Sequence, residues 1–242
     1  MIIAQLSDIH ANGSSERLER LDAVVDWLMP MQPDILIVSG DLAEDDFSQS
    51  YRAVQKRLEG FGCPYFVVPG NVDNHAEMRD VFGRRFGWSR DWPLNVSGVV
   101  GDLRIIGLDV TVEGAHHGDA APVLDWLADE LRSEMLPTLI FQHQHPFPTG
   151  IDGKDRNVCF NGDALAEVIE SAGDSVIGLT CGHVHRALFT RFAGRHATMA
   201  PSIKKANMLR LDGRESAVVD PPGLLLHHWS EGRLVSHVVM VG

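Results

Sequence analysis

The opening stretch MIIAQLSDIH, residues 1–10, sets a short apolar run, Ile2 to Leu6, directly against a polar turn carrying Asp8 and His10. A run of that length, ended by a polar turn, reads as a buried strand. Asp8 and His10 are two positions apart, so on extended chain they point the same way and can grip one ion together. The arrangement recurs along the chain. Ile35 to Val38 ends at Ser39-Gly40-Asp41, Tyr65 to Val68 at Pro69-Gly70-Asn71, Thr138 to Phe141 at His143, and Val176 to Thr180 at Gly182-His183-Val184-His185. Helices are expected between the first strands: Leu18, Leu21, Val24, Val25 and Leu28 recur at helical spacing up to Pro30, and a polar helix is expected over 48–58. Alternating strands and helices, with ligand-type side chains just past the carboxyl ends of the strands, predict an α/β protein with one site at that edge.

The middle and end of the chain change pattern. Val96 to Val100 and Leu103 to Leu108 flank Gly101-Asp102, a hairpin signal. Val123, Leu124, Trp126, Leu127 and Leu131 form a helical stripe, and a further helix is expected from Asn161 as N-cap, turning Leu165, Val168 and Ile169 inward. From Ala187 onward, short strands separated by Gly turns, ending in Gly223 to Trp229 and Leu234 to Val241 around Glu231-Gly232, predict a second, antiparallel sheet packed on the first. No repeat or Gly/Ser linker divides the sequence, so one domain over 1–242 is expected. A polar insertion around 200–220, with Lys204, Lys205 and Arg210, would be a solvated face, a small cap or an oligomer contact, which leaves a homodimer or higher homo-oligomer open.

Composition narrows the function. The chain has 242 residues, 44% of them hydrophobic and 22% charged, enough for a sizeable core. Thirty-three acidic against 21 basic residues give a formal net charge of −12, and only 7% are aromatic. That balance disfavours nucleic-acid polymers and anionic membranes and shows no stripe on which bases could stack. Three cysteines, Cys63, Cys159 and Cys181, fit neither a zinc ribbon nor a disulfide framework, which points to a reducing cytoplasm. The start lacks a basic stretch followed by a long apolar one, and no apolar run reaches the length of a membrane span, so neither secretion nor membrane insertion is expected.

The ordered ligand types Asp8, His10, Asp41, Asn71, His143, His183 and His185 mix oxygen and nitrogen donors without cysteine. That mixture suits Mn, Fe, Co or Zn better than Ca and argues against a structural zinc site. Asp41, with two carboxylate oxygens, can bridge two ions, while the neutral carbonyl of Asn71 limits the negative charge that an incoming phosphate would meet. Read as SDIH, SGDL, PGNVD, FQHQHP and CGHVH, the set resembles the calcineurin-like metallophosphoesterases over nearly the whole chain. GLDVTVEGAHHGDAAPVLDWLADEL and PPGLLLHHW look more narrowly like the class III cyclic nucleotide phosphodiesterases and the related bacterial glycerophosphodiesterases.

The resemblance implies a four-layer αββα sandwich of two mixed β-sheets flanked by helices. It implies that Asp8, His10, Asp41 and His185 hold one metal and Asp41, Asn71, His143 and His183 the other, two divalent or trivalent ions, foremost Mn or Fe. A hydroxide between them would attack the phosphorus of a small phosphodiester, a cyclic nucleotide (3′,5′ or 2′,3′) before a glycerophosphodiester or a phosphomonoester. The competing class is a non-catalytic protein that keeps the fold, but such relatives usually lose ligands and all seven stand here.

One position departs from the family. Its usual Gly-Asn-His-Asp/Glu is Gly-Asn-Val-Asp, so Val72 stands where relatives contact the phosphoryl group or protonate the leaving oxygen through a histidine, which an aliphatic side chain cannot do. His117 is expected to substitute in part by reaching the phosphate from a neighbouring loop, with His116 merely exposed. Asp73 is expected either to orient a ligating histidine through its free ring nitrogen or to serve as a helix N-terminal acid. His75 would start a helix, His145 would be structural or stand behind the ligands, and of His227 and His228 one faces in and one out.

Overall fold

Ile3, Ile35, Ile37, Phe66, Val68 and Trp229 are buried against Leu103, Ile105, Leu139 and Phe141, and these two rows are the facing surfaces of two sheets. In the computed structural model, which describes residues 1–88, 93–207, 209, 212 and 220–242, the elements run β1 (Ile2–Leu6), α1 (Ser15–Leu28), β2 (Ile35–Ser39), α2 (Phe47–Glu59), β3 (Tyr65–Val68), α3 (His75–Phe86), β4 (Val96–Val100), β5 (Leu103–Leu108), β6 (Gly118–Asp119), α4 (Leu124–Ser133), β7 (Thr138–Gln142), α5 (Asp152–Asp155), β8 (Cys159–Phe160), α6 (Gly162–Ser171), β9 (Val176–Cys181), β10 (Leu188–Phe192), β11 (Arg195–Met199), β12 (Gly223–Ser230) and β13 (Arg233–Met240). One large sheet has the order β13-β12-β1-β2-β3 and the other β10-β11-β9-β7-β5-β4, while β6 and β8 pair as a small two-stranded sheet.

Both large sheets are mixed. β1, β2 and β3 are parallel, as are β5, β7, β9 and β11. In the first sheet β12 runs antiparallel to both its neighbours, β1 and β13, and in the second the edge strands β4 and β10 are antiparallel to theirs. Residues of alternate parity face outward: Ala4, Leu6, Leu36, Val38 and Val67 pack on Leu21, Val24, Tyr51, Val54, Met78 and Phe82 of α1, α2 and α3. On the far side, Ile106, Leu108, Ile140 and Leu179 pack on Leu127, Leu131, Leu165 and Ile169 of α4 and α6. The period-2 alternation of a strand thus serves two cores at once, one between the sheets and one under the helices. The result is the four-layer αββα sandwich.

The late strands correct one expectation. They do not form a second sheet of their own: β12 pairs with β1 and carries β13, extending the first sheet, while β10 and β11 extend the second from β9. Local alternation marks a strand but does not say which edge receives it. Asn161 does flank α6, yet its side chain makes no capping bond and donates instead to Asp119 Oδ1 at 2.6 Å. The expected Gly101-Asp102 hairpin joins β4 to β5. About half of the insertion around 200–220, Arg210 included, lies outside the described residues.

A polar seam runs through the core between the sheets. His227 is buried, with Nε2 3.0 Å from Gln5 Oε1 and Nδ1 2.7 Å from Ser236 Oγ, while His228 is exposed. Burial pushes His227 down to about 3. A histidine depressed in the folded state contributes stability that is complete above its unfolded value, near 6.5, and lost as pH falls toward the folded one. The slope is at most about 1.4 kcal/mol per pH unit. Urea unfolding of the metal-free chain between pH 6.5 and 4 is therefore expected to show a shallower pH dependence in His227→Gln than in the wild type. Equal slopes would contradict this.

Candidate metal centre

All seven ligand-type side chains come together at the carboxyl ends of β1, β2, β3, β7 and β9. Five of them, Asp8, His10, Asp41, His183 and His185, sit on residues with φ between 51° and 73°. Left-handed backbone at five non-glycine positions is costly, and such strain persists where a surrounding structure over-determines it. Here the loops are laced together: Asp8 N–H donates to Gly40 C=O at 3.1 Å and His10 N–H to Asp41 C=O at 2.9 Å. His183 N–H donates to the Asp8 carboxylate at 3.1 Å. Gly40 itself has φ 90°, and a Cβ there would lie 2.5 Å from His143 Nδ1, so only glycine lets that imidazole approach.

Asp8, His10, Asp41 and His185 each offer one ligand atom, all within 4.8 Å of one another. His185 Nε2 lies 3.1 Å from Asp8 Oδ1, and His10 Nε2 lies 3.3 Å from Asp41 Oδ2. On the other side of Asp41, His143 Nε2 lies 3.3 Å from the same Oδ2, 3.2 Å from Asn71 Oδ1 and 3.3 Å from His183 Nδ1. Oδ2 of Asp41 therefore stands equally far from an imidazole of each group, while its Oδ1 accepts the Val72 N–H at 3.1 Å.

The ring nitrogens facing away from the centre are tied to acceptors in three of the four histidines. His10 Nδ1 meets Glu44 Oε2 at 2.9 Å, His143 Nδ1 meets Ser39 C=O at 2.8 Å, and His185 Nδ1 meets Lys205 C=O at 3.1 Å. Each bond places the proton on Nδ1 and leaves the Nε2 lone pair aimed at the carboxylates and at its neighbours. Lone pairs converging on lone pairs require a cation between them, so the donor set fits two metal ions. Charge in the metal-free protein tells the same story. Burial works against the charge of His143, yet the adjoining Asp41 carboxylate raises it to about 9, a proton standing in for a cation. Burial would likewise raise Asp8 and Asp41, but His185 and His143 hold the first, and His143 and His10 the second, well below the carboxylate range.

Several residues depart from expectation. Asp73 touches no histidine among the described residues. It accepts Leu42 N–H, Ala43 N–H and Gly70 N–H at 3.1, 3.0 and 2.8 Å, and Tyr51 O–H at 2.9 Å. Its work is to staple the Asp41 loop to the Asn71 loop, and burial with the nearby Asp41 charge raises it to about 6. His117 packs on Phe160, ring centroids 4.6 Å apart. The exposed His116 is the one that reaches the centre, its Nδ1 3.2 Å from Asn71 Nδ2. That contact turns the amide so that Oδ1 faces His143. The AHHG motif pointed to this loop but could not say which of two adjacent imidazoles turns inward.

Sequence reasoning missed Glu44 and gave Lys204 no partner. Lys204 Nζ pairs with Glu44 Oε2 at 2.6 Å, so the first residues of the insertion brace His10 through Glu44 and His185 through the Lys205 carbonyl. His75 begins α3, with Nε2 3.0 Å from the buried Asp109 Oδ2, and lines a cleft of about 840 Å³ that adjoins Asn71. Cys63, Cys159 and Cys181 are all free thiols, and no helix among the described residues is long and apolar enough to cross a membrane.

The sandwich and this centre define a class, and comparison bears it out: residues 1–187 match the model of the calcineurin-like phosphoesterase family, and the chain belongs to that family. It is 28% identical to a probable glycerophosphodiester phosphodiesterase of Arcobacter nitrofigilis, over 100% of this chain and 94% of that protein. It is 32% identical to a probable cyclic nucleotide phosphodiesterase of Synechococcus, over 81% of this chain and 80% of the other. Among solved structures, a dimetal phosphatase from Danio rerio superposes with a TM-score of 0.72 over 100% of this chain and 99% of its own at 13% identity, a likeness of fold.

Proposed function

We propose that the chain is a di-metal phosphodiesterase acting on small phosphodiesters, cyclic nucleotides foremost, in a reducing cytoplasm. The observation that carries this reading is Asp41 Oδ2 standing 3.3 Å from both His10 Nε2 and His143 Nε2, as a bridging carboxylate would. Asp8, His10, Asp41 and His185 would hold one ion and Asp41, Asn71, His143 and His183 the other. Two ions so held would neutralise charge building on the phosphoryl oxygens and make water a nucleophile at neutral pH. The protein's own groups do the rest. Glu44, Ser39 and Lys205 keep the imidazoles of His10, His143 and His185 in the ligating tautomer, and His116 keeps the Asn71 carbonyl turned inward.

The cleft beside Asn71 would receive the rest of the substrate. Its size falls within the range of small-molecule sites. Its lining favours a second reading within the same class: Asn74, His75, Arg79, Thr111 and Glu113 are polar, and no Phe, Tyr or Trp lines it among the described residues. Among the described residues a nucleobase would find His75 and Arg79 to stack on, whereas a hydroxyl-rich alcohol such as glycerol would find many partners. The deciding experiment gives metal-replete protein 3′,5′-cyclic AMP, 2′,3′-cyclic AMP, a glycerophosphodiester and a phosphomonoester side by side. Hydrolysis of one or more diesters ahead of the monoester is expected. Protein that carries both ions and cleaves none of them would sink the reading.

His116 and His117 make a paired prediction. On bis(p-nitrophenyl) phosphate, His116→Ala is expected to lower kcat/KM about tenfold or more, the usual effect of removing a group that orients a metal ligand. His117→Ala should leave it unchanged. The reverse order would restore His117 to the role that Val72 vacates.

A further inference from the structure

Three of the four histidines of the centre have an acceptor for the nitrogen that faces away from it; His183 does not. Its Nδ1 points toward His143, 3.3 Å away, so its Nε2 must carry the proton when Nδ1 binds an ion. Nε2 is buried and has no hydrogen-bond partner among the described residues. A buried N–H left in that state has given up its bond to water and gained none in return. Beside it lies His145, whose ring centroid is 5.8 Å from that of His183 at an interplanar angle of 33°. The side chain of His145 is fully buried, and its Nδ1 and Nε2 both lack a hydrogen-bond partner. Its Nε2 lies 3.6 Å from Asp155 Oδ1, just beyond hydrogen-bond length. Asp155 in turn accepts Thr149 N–H at 2.8 Å, Thr149 O–H at 2.6 Å and Gly150 N–H at 2.9 Å.

Three orphaned nitrogens in one pocket, with a carboxylate at its far end, have a single economical solution. We infer that His145 and Asp155 are positioning residues for His183, joined to it by one buried water that accepts from His183 Nε2 and donates to His145 Nδ1. A neutral imidazole offers one acceptor and one donor, so His145 accepts from the water at Nδ1 and donates from Nε2 to Asp155. A buried polar water with such partners belongs to the structure rather than to the solvent. The chain would run from His183 through the water and His145 to Asp155 and the 149–155 loop. It gives the fourth histidine the outward anchor that Glu44, Ser39 and Lys205 give the other three. It also lies on one side only. Glu44 and Lys205 serve the ion held with Asp8, whereas His145 and Asp155 would serve the ion held with Asn71.

This inference rests on the two-ion reading, and the test separates the two. The 242-residue chain stripped of metal is titrated with Mn(II), counting bound ions by equilibrium dialysis with elemental analysis, and with Co(II), following its visible absorption. The wild type should take up two ions. His145→Phe, which keeps a ring and removes both nitrogens, should bind the first ion as the wild type does and the second about 10- to 100-fold more weakly. His145→Gln, which restores an acceptor and a donor, should recover part of that loss and part of the Co(II) spectrum. Asp155→Ala, a change at a half-exposed residue, should weaken the second ion alone. Should His145→Phe fail to fold, Asp155→Ala decides. Wild type with two ions and variants with unaltered second-ion affinity would overturn the His145 chain and leave the two-ion reading standing. Wild type that holds fewer than two ions would overturn that reading itself.

Discussion

Asp41→Asn is expected to release both ions and to lower kcat/KM on any cleaved diester by about 10³-fold or more, at least about 4 kcal/mol of transition-state stabilisation. An asparagine has nearly the same shape, so the fold should survive. Its amide oxygen would take the Val72 N–H that Asp41 Oδ1 accepts at 3.1 Å. That leaves its NH₂ where Oδ2 stands 3.3 Å from His10 Nε2 and from His143 Nε2. A donor would then replace the acceptor at the one atom both groups share, and the buried negative charge that raises His143 to about 9 would be gone. Elemental analysis beside the kinetics checks the cause. An Asp41→Asn protein that retains two ions and most of its activity would show that Asp41 does not bridge.

Gly70→Ala should have the second large effect, on stability. A Cβ at residue 70 would lie 2.2 Å from Asp41 Oδ1 and 2.4 Å from the Asp41 backbone nitrogen. The second of these is main chain and cannot swing aside. The loops after β2 and β3 are clamped at that point by Asp73, through Leu42, Ala43 and Gly70 N–H, so relief would have to break the clamp. Overpacking of this kind costs about 3 kcal/mol or more, which in a chain of this size lowers the melting temperature by roughly 6 to 12 °C. Thermal melts of the metal-free variant test it, and a melting temperature equal to that of the wild type would mean the loops are looser than their hydrogen bonds indicate.

What could be read from sequence divides along a physical line. The buried strands β1, β2, β3, β7 and β9 were legible because each is a short apolar run ended by a polar turn, and the side chains just past them are the ones the centre gathers. The pairing of the late strands was not legible. β12 reaches β1 across more than 200 residues, with Ile3 opposite His227, and nothing local in PPGLLLHHW encodes that partner. Residues standing behind the ligands were harder still. Glu44 lies three positions after Asp41, in an ordinary acidic turn, and becomes significant only when His10 arrives beside it. The choice between His116 and His117 depended on one backbone turn, and the role of Asp73 on three N–H groups that have no sequence signature at all. Motif order thus specifies the atoms that face the ions, while long-range folding specifies the atoms that hold those atoms in place.

The most direct test of the account counts ions and turnover on the same sample. Protein freed of metal and then loaded with Mn(II) or Fe(II) is predicted to bind two ions per chain, and diester hydrolysis is predicted to track occupancy of the second. A chain that binds one ion or none, or that cleaves diesters equally well after complete removal of metal, would contradict the assignment of Asp41 as the shared ligand of a two-metal centre.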